Sequence, residues 1–515
     1  MFAIVTPRKN CNWTLFYGVD YHSHLGTEYG GMAVLGHELK CEAYPIKQSQ
    51  FKTEFSPKLH LFSGSMGIGV ISPKDEQPLT INPVNPGIGL FAIATVGYVD
   101  NAEELVGEFR ASGIGFEYDD EEAKTINMTK LVGMLISQSD NLVSGIEKMF
   151  YRIQGSISLM TLNTDGILAA RSLYGHTPLF LAQKGNEWAI TLETTALPNL
   201  GFKVTKPLLS GEIIQLNENG PVTRSEEYHN HTQLCAFLPI YTAFPAAEFG
   251  DLTAEGYREK AGAYHAIRDY EEGIKGQMAA GMADSGTPYA IGYSQASFNL
   301  VARDIKALTE LALSSGSISN DQASEISLLL DLFVPYHRPL LKYTPAYGRS
   351  YTPPKQVDRD RIAKMKQLPA RDIWDGLVSL ILTEDSIVRA TQLAQYLKQL
   401  HHIIVDLWGK SWPEIHARIG CPPLAWPCKY MLSTRNNSEL AARRIVTNIL
   451  GQPPTDDQMR VYIDPANPEY HQMVSFIGEE IGVNSLRYLP LEEVIRIIGL
   501  PQDRVCTYCW NGQGV

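Results

Sequence analysis

Cysteine is scarce in this chain: seven in 515 residues are too few for a disulfide scaffold. Long apolar runs are missing as well, and no stretch approaches the roughly 20 residues that a membrane helix needs. Basic side chains are outnumbered, 44 against 56 acidic, for a formal charge of −12. The charges are spread without blocks, and no basic face is on offer to displace counterions from phosphates, which argues against a nucleic-acid partner. Repeats and low-complexity tracts are absent too. The first ten residues place their apolar run before Arg8 and Lys9 and are too short for a signal peptide, so the expectation is a cytoplasmic protein with no membrane partner. What is present is enough apolar material for a full core, 44% hydrophobic against 19% charged. At about 150 residues per domain the length predicts three domains, with two large ones equally allowed.

The first 230 residues read as short strands with turn punctuation: 2–6, 66–71, 91–96, 156–162, 179–183 and 187–192. Helical periodicity lies between them at 102–112 and 125–139. That pattern predicts an α+β or layered β-sheet domain. From about Leu252 the pattern changes to long helical stretches (254–275, 299–332, 386–400, 439–450) alternating with short apolar strands at 377–383 and 402–407. Such alternation indicates a parallel sheet with helices on its faces. The Ala- and Pro-rich segment 235–250 is the natural junction.

The sharpest signal is Leu380-Ile381-Leu382-Thr383-Glu384-Asp385-Ser386-Ile387-Val388-Arg389-Ala390-Thr391. An apolar strand runs into two adjacent carboxylates and then into small and hydroxyl residues where a helix should start. Carboxylates at a strand's end accept hydrogen bonds from neighbouring sugar hydroxyls. Backbone N–H groups, with the Ser386 and Thr391 hydroxyls, cradle a phosphate where the helix dipole favours an anion. The string therefore suits a 5-phosphoribosyl group; the bland alternative is an ordinary turn with a capping acid. A second strand ends in Ala283-Asp284-Ser285-Gly286-Thr287-Pro288, a loop suited to pyrophosphate. Tyr347-Gly348-Arg349-Ser350-Tyr351 offers a basic lid, with Arg349 as the phosphate-pairing group and Gly348 as the hinge.

Together with Asn484 to Leu489 and Ile498 to Pro501, these motifs resemble glutamine phosphoribosylpyrophosphate amidotransferase over nearly the whole chain. The resemblance implies an N-terminal αββα sandwich of the N-terminal-nucleophile glutaminase type, residues 1–234. It also implies an α/β type I phosphoribosyltransferase domain, residues 235–515, here with an apparent insertion near 298–334. In that family Glu384 and Asp385 would bind the ribose hydroxyls of phosphoribosylpyrophosphate with Mg²⁺, Ser386 to Thr391 the 5-phosphate, and Asp284, Ser285, Gly286 and Thr287 the pyrophosphate. The family commonly has Asp where Glu384 stands and Gly where Ala390 stands. One branch holds a structural [4Fe-4S] cluster, and its contexts match Cys235, Cys428, Cys506 and Cys509. Structural zinc on the same four residues, or free buried thiols, is the alternative. Cys421 falls where the family has no ligand and reads as a spectator.

The glutaminase half departs from the family. Aligning Met1 to Val5 with the family start puts Phe2 at the nucleophile. The arginine that clamps the glutamine carboxylate is missing from Val70 to Pro73, the oxyanion-hole Asn-Gly reads Val96-Gly97, and the acid that holds the amino group falls near Asn127. Exposure of Cys11 by cleavage after Asn10 is the competing source of a nucleophile. Three functions follow. The first is an amidophosphoribosyltransferase-like enzyme with an inactive glutaminase half, using Mg²⁺ and, by default, ammonia from solution or from a separate supplying partner. The second is a non-catalytic binder of phosphoribosylpyrophosphate; the third is an iron-sulfur redox protein on an inherited scaffold. Resemblance also implies a homo-oligomer, a homotetramer. The insertion reads as two amphipathic helices, either a surface hairpin or a partner-binding element.

Overall fold

The structure is a computed structural model that describes residues 1–226, 232–315, 318–342, 367–431 and 436–514, apart from residues 8, 27, 48 and 121. Strand Phe2–Val5 shows how the first half is built. All four of its residues are buried, and successive side chains of a strand point to opposite faces. Phe2 and Ile4 join Leu15, Phe16 and Phe51 on one side. Ala3 and Val5 join Ala33, Ala92, Ala94 and Ala169 on the other. A strand buried on both faces must lie between layers, and it does. It sits inside a seven-stranded sheet of order Lys203–Pro207, Phe180–Lys184, Glu187–Thr191, Phe2–Val5, Met66–Ser72, Tyr29–Leu35 and Leu39–Pro45. A six-stranded sheet, Gly220–Ser225, Ile213–Asn217, Gly166–Ala170, Gly155–Asn163, Phe91–Val99 and Leu79–Ile81, packs against it through the small residues of the inner layer. Helices Asn12–Asp20 and Phe51–Phe55 cover the outside of the first sheet. Ala102–Ala111, Met128–Ile136 and Leu142–Arg152 cover the second. The result is a four-layer αββα sandwich.

The second half carries a four-stranded, all-parallel sheet, Met278–Gly281, Ser379–Glu384, Glu414–Ile419 and Ser485–Tyr488. Alternation again assigns the faces: Ala279 and Ile381 pack with Ala266, Ala290 and Tyr293 of helices Ala254–Glu272 and Thr287–Ser315. Ala280, Leu380 and Leu382 pack in the larger core with Leu393 and Leu397 of helix Thr391–His401. A buried ion pair locks the sheet to its first helix. Arg418 and Asp269 have fully buried side chains, and the Asp269 carboxylate also accepts from the Tyr293 hydroxyl and from Arg487.

Three elements differ from the sequence reading. Residues 402–407 are not a strand; His402–Leu407 is a wide helical turn continuing Thr391–His401, and Gly409 at φ 66° ends it. The run Ile403-Ile404-Val405 has strand composition, but no Gly or Pro separates it from the preceding helix, so helix propagation prevails. The third sheet strand is Glu414–Ile419 instead. The helix expected from Ser386 starts at Thr391, because Ala390 has φ 64° and cannot belong to a right-handed helix. The insertion is a long helix that begins at Thr287, followed by Asn320–Leu330, whose Ser319 and Gln322 form a capping box. The second helix buries none of its residues and forms a surface hairpin with the first.

His176 and His265 are fully buried, and burial holds both pKa values down at about 3. The unfolded chain takes up protons near pH 6.5 that the native state refuses. Stability is therefore full above about pH 6.5 and falls on acidification toward pH 3, by up to ~1.4 kcal/mol per pH unit for each group. Denaturant midpoints at pH 7 and pH 5 should show this fall, and His265→Gln should flatten it; a variant with the parental pH slope refutes the assignment.

Candidate active site at the carboxyl end of the parallel sheet

Strands Met278–Gly281 and Ser379–Glu384 are adjacent and in register, Gly281 beside Thr383. Their following loops therefore emerge side by side, as a doubly wound sheet requires of a binding crevice. The first loop is stitched to the second: the buried Thr383 hydroxyl donates to the Gly286 carbonyl at 2.8 Å. A Cβ on Gly286 would lie 2.3 Å from the Thr383 carbonyl oxygen, so only glycine fits. The Ala283–Asp284 peptide is cis. The Ser285 hydroxyl donates to Glu384 Oε1 at 3.3 Å.

The two carboxylates stand at the lip of the central strand. Asp385 is 2% exposed; Ser386 donates to its Oδ1 at 2.8 Å, while Oδ2 is buried with no partner in the protein. Burial pushes both acids up, and the Asp385 charge raises Glu384 further. Such a pair asks for a cation or for donors from a ligand. Beyond it, Ile387, Val388 and Arg389 cross to Ala390, and helix Thr391–His401 opens with no side-chain cap. Its first backbone N–H groups are free to meet an anion. The loop is held from behind: Ala441 N–H donates to the Val388 carbonyl, Arg444 to the Arg389 carbonyl, and Arg389 pairs with Glu439. Arg349, the expected lid cation, lies outside the described residues. Sequence reasoning missed Lys342, whose Nζ sits 2.8 Å from Asp284 Oδ2; a lone lysine on a three-residue strand leaves no motif.

One cavity of about 830 Å³ includes Asp284, Glu384, Asp385 and Arg389 in its wall, together with Asp75, Thr95, Gly97 and Glu193 of the sandwich. The halves thus share an interior space. No protein-family model matches the chain. It is 26% identical to the amidophosphoribosyltransferase of Methanothermobacter thermautotrophicus, with 97% of this chain and 90% of that protein covered. To that of Synechocystis it is 24% identical, with 100% and 90% covered. Among solved structures it matches the glutamine phosphoribosylpyrophosphate amidotransferase from B. subtilis complexed with ADP and GMP, at TM-score 0.73 and 21% identity over 99% of this chain and 96% of the other. A structure described as the allosteric regulatory enzyme of purine biosynthesis matches at TM-score 0.74 and 21% identity, with 99% and 95% covered.

Over its full length the chain is similar to amidophosphoribosyltransferases. Its fold is theirs: the N-terminal-nucleophile type of sandwich joined to a type I phosphoribosyltransferase domain. Against that family's catalytic plan, Phe2 is a core side chain packed over Gly18 and does not line the cavity, whereas Met1 does. Gly97 lines it at φ 134°, where a Cβ would strike the Ser156 carbonyl, and Val96 stands beside it. Asn127 does not line the cavity. It caps helix Met128–Ile136 by accepting from Lys130 N–H and donates to the Glu76 carbonyl. Where the clamp arginine was expected, the wall carries Ile71, Ser72 and Pro73, with Lys74 following. Cys11 is buried in the core, where burial pushes its thiol up to about 12, and it does not line the cavity. Cleavage after Asn10 would also remove Phe2–Val5, which pairs on both sides inside the sheet.

The four family-type cysteines converge from distant segments. Leu234–Cys235 pairs in parallel with Val505–Cys506, setting Cys235 opposite Cys506. Ala425 and Trp426 N–H groups donate to the Cys509 carbonyl, drawing in the loop that carries Cys428. Burial first, and then the neighbouring thiols, raise Cys235 and Cys509. Among the described residues, no group of three or more ligating side chains is arranged to hold a single metal ion.

The residue with the clearest strain is Ala390. Its φ of 64° is a conformation that costs an L-residue roughly 1 kcal/mol and glycine little. Ala390→Gly should therefore raise the melting temperature slightly and leave the helix start intact; a lower melting temperature would contradict this account.

Proposed function

We propose that the protein transfers an amine to phosphoribosylpyrophosphate with release of pyrophosphate, and that its glutaminase half does not supply the amine. The observation that carries this is the meeting, at the carboxyl end of the parallel sheet, of the Glu384–Asp385 pair, the Asp284–Thr287 loop with Lys342, and an uncapped helix start. Those features suit, in turn, a ribose diol with its metal, a pyrophosphate and a 5-phosphate. The kinship with amidophosphoribosyltransferases supports the same reading.

In this reading Glu384 and Asp385 would hold the ribose hydroxyls and a Mg²⁺ ion, which would supply positive charge beside the pyrophosphate; the buried, unpartnered Asp385 Oδ2 is a fitting ligand. Ser285, Gly286 and Thr287 hold the leaving group, with Arg349 as its further cation. Ser386 to Thr391 fix the 5-phosphate, so the anomeric carbon is positioned for attack. Support for a silent glutaminase half comes from the core placement of Phe2, the capping role of Asn127 and the absence of the clamp arginine. The four converging thiols suit a [4Fe-4S] cluster, one thiolate to each iron, that staples residues 234–235 to the C-terminal segment. By kinship the protein is a cytoplasmic homo-oligomer, a homotetramer. A non-catalytic phosphoribosylpyrophosphate sensor is the second reading; it shares the pocket and lacks the turnover.

With phosphoribosylpyrophosphate and Mg²⁺, anaerobically purified protein should release pyrophosphate with an amine and not with glutamine. Release with glutamine would overturn the silent-glutaminase reading, and binding without release under any amine would favour the sensor. Asp385→Asn should weaken phosphoribosylpyrophosphate binding about tenfold or more, as expected for loss of a charged ligand group; unchanged binding sinks the pocket assignment. Iron analysis should find about four irons per chain, lost together with visible absorbance in Cys509→Ser; an iron-free parental protein removes the cluster.

A further inference from the structure

The candidate active site leaves one part of the chain unused, the hairpin formed by the outer half of helix Thr287–Ser315 and by Asn320–Leu330. Helices shorter than about 12–15 residues are marginal in water and draw their stability from packing. Asn320–Leu330 has 11 residues and buries none of them, although it ends in Leu328-Leu329-Leu330. Leu311 and Leu313 on the first helix are 61% and 75% exposed, and Leu328 and Leu330 on the second 62% and 57%. Side chains two positions apart stand about 200° apart around a helix axis, so each helix shows leucine on two sides. Such a helix calls for cover beyond its hairpin partner. At the base of the hairpin lies a groove of about 350 Å³, lined by Ser294, Gln295, Phe298, Asn299 and Phe333. Phe298 is 57% exposed and meets Phe333 edge-on, with ring centroids 5.9 Å apart. Gln295 and Asn299, one turn apart, are open to solvent beside it. None of these residues lines the cavity at the carboxylate pair.

Charge selects the occupant. Between Lys306 and Arg338 the chain has four acidic residues, Glu310, Asp321, Glu325 and Asp331, and no lysine or arginine. All four are exposed, and among the described residues only Glu310 has an ion-pair partner, Lys306 at 3.9 Å. A second copy would set the same acids against them, and nucleic acid or an anionic lipid surface would bring phosphate; each is repelled, whereas a basic partner is attracted. We propose that this hairpin is a docking surface for a partner protein that presents a basic amphipathic helix. One apolar side chain of that helix enters the groove between Phe298 and Phe333, others cover Leu328 and Leu330, and its lysines or arginines face Glu325 and Asp331. The proposal does not depend on the reaction at the carboxylate pair.

The test uses the full-length protein and fluorescein-labelled synthetic peptides of about 15 residues. One is a leucine–lysine peptide with leucine at helical spacing, one has the same composition scrambled, and one is a leucine–glutamate peptide of the first pattern. Fluorescence anisotropy at about 0.15 M salt should show the patterned lysine peptide binding about tenfold or more tighter than the other two. Leu328→Ser combined with Leu330→Ser should remove that advantage, and Phe298→Ala should reduce it if circular dichroism shows the double variant to fold poorly. Glu325→Lys combined with Asp331→Lys should weaken the lysine peptide and strengthen the glutamate peptide. No binding, or equal binding of the patterned and scrambled lysine peptides, overturns the proposal. Undiminished binding by the leucine and phenylalanine variants overturns it too, because the peptide then sits elsewhere on an acidic protein. Self-association in light scattering that is lost with Leu328→Ser and Leu330→Ser overturns it in favour of a second copy.

Discussion

Two carboxylates on adjacent residues, largely out of water, cannot both ionise without help, and the second half of the molecule is arranged around that constraint. Glu384 and Asp385 end the central strand of the parallel sheet, where neighbours on both sides fix the backbone. The Gly420 N–H donates to the Glu384 carbonyl, Ser285 and Ser386 donate to the two side chains, and Asp385 keeps one oxygen unanswered. Low dielectric makes that deficit costly and a cation or sugar hydroxyl correspondingly welcome. Rigidity behind the site is supplied by the Arg418–Asp269 pair, which ties the neighbouring strand to helix Ala254–Glu272.

The sandwich remains coupled to this site although its own catalytic plan is altered. Thr177 donates to the Met431 sulfur, the His176 ring stacks on Tyr430 at 4.1 Å, and the Cys235 N–H donates to the His176 carbonyl. Those contacts close one side of the shared cavity. The sandwich also supplies part of the wall of the cavity beside the carboxylate pair, through Asp75, Thr95, Gly97 and Glu193. The cysteine convergence acts at the same seam, where a two-residue strand pair would be marginal by itself.

Much of this was legible in one dimension. Short apolar segments located six strands of the first half, among them Phe2–Val5, Met66–Ser72 and Phe91–Val99, and Met278–Gly281 and Ser379–Glu384 of the second, because buried strands demand apolar residues. The string Glu384 to Thr391 announced a strand, an acid pair and a helix start, and the structure shows that order. The misreadings share a cause. Residues 402–407 have strand composition inside a helical context, and the helix after Ala390 starts late because of a single backbone angle. Propensity is a local quantity, and these outcomes were decided by neighbours. Lys342 left no trace, since its meaning lies only in its approach to Asp284 across 58 residues.

By itself the sequence determined the two-part architecture, the acid pair with its loop, and the phenylalanine at position 2, since these depend on residue types and short-range order. Only the tertiary structure decided that Cys11 lies in the core, that Asn127 is a helix cap, that four cysteines from distant segments converge, and that the halves enclose one cavity. Each of those facts depends on which distant backbones lie side by side, and that is set by burial summed over the whole chain.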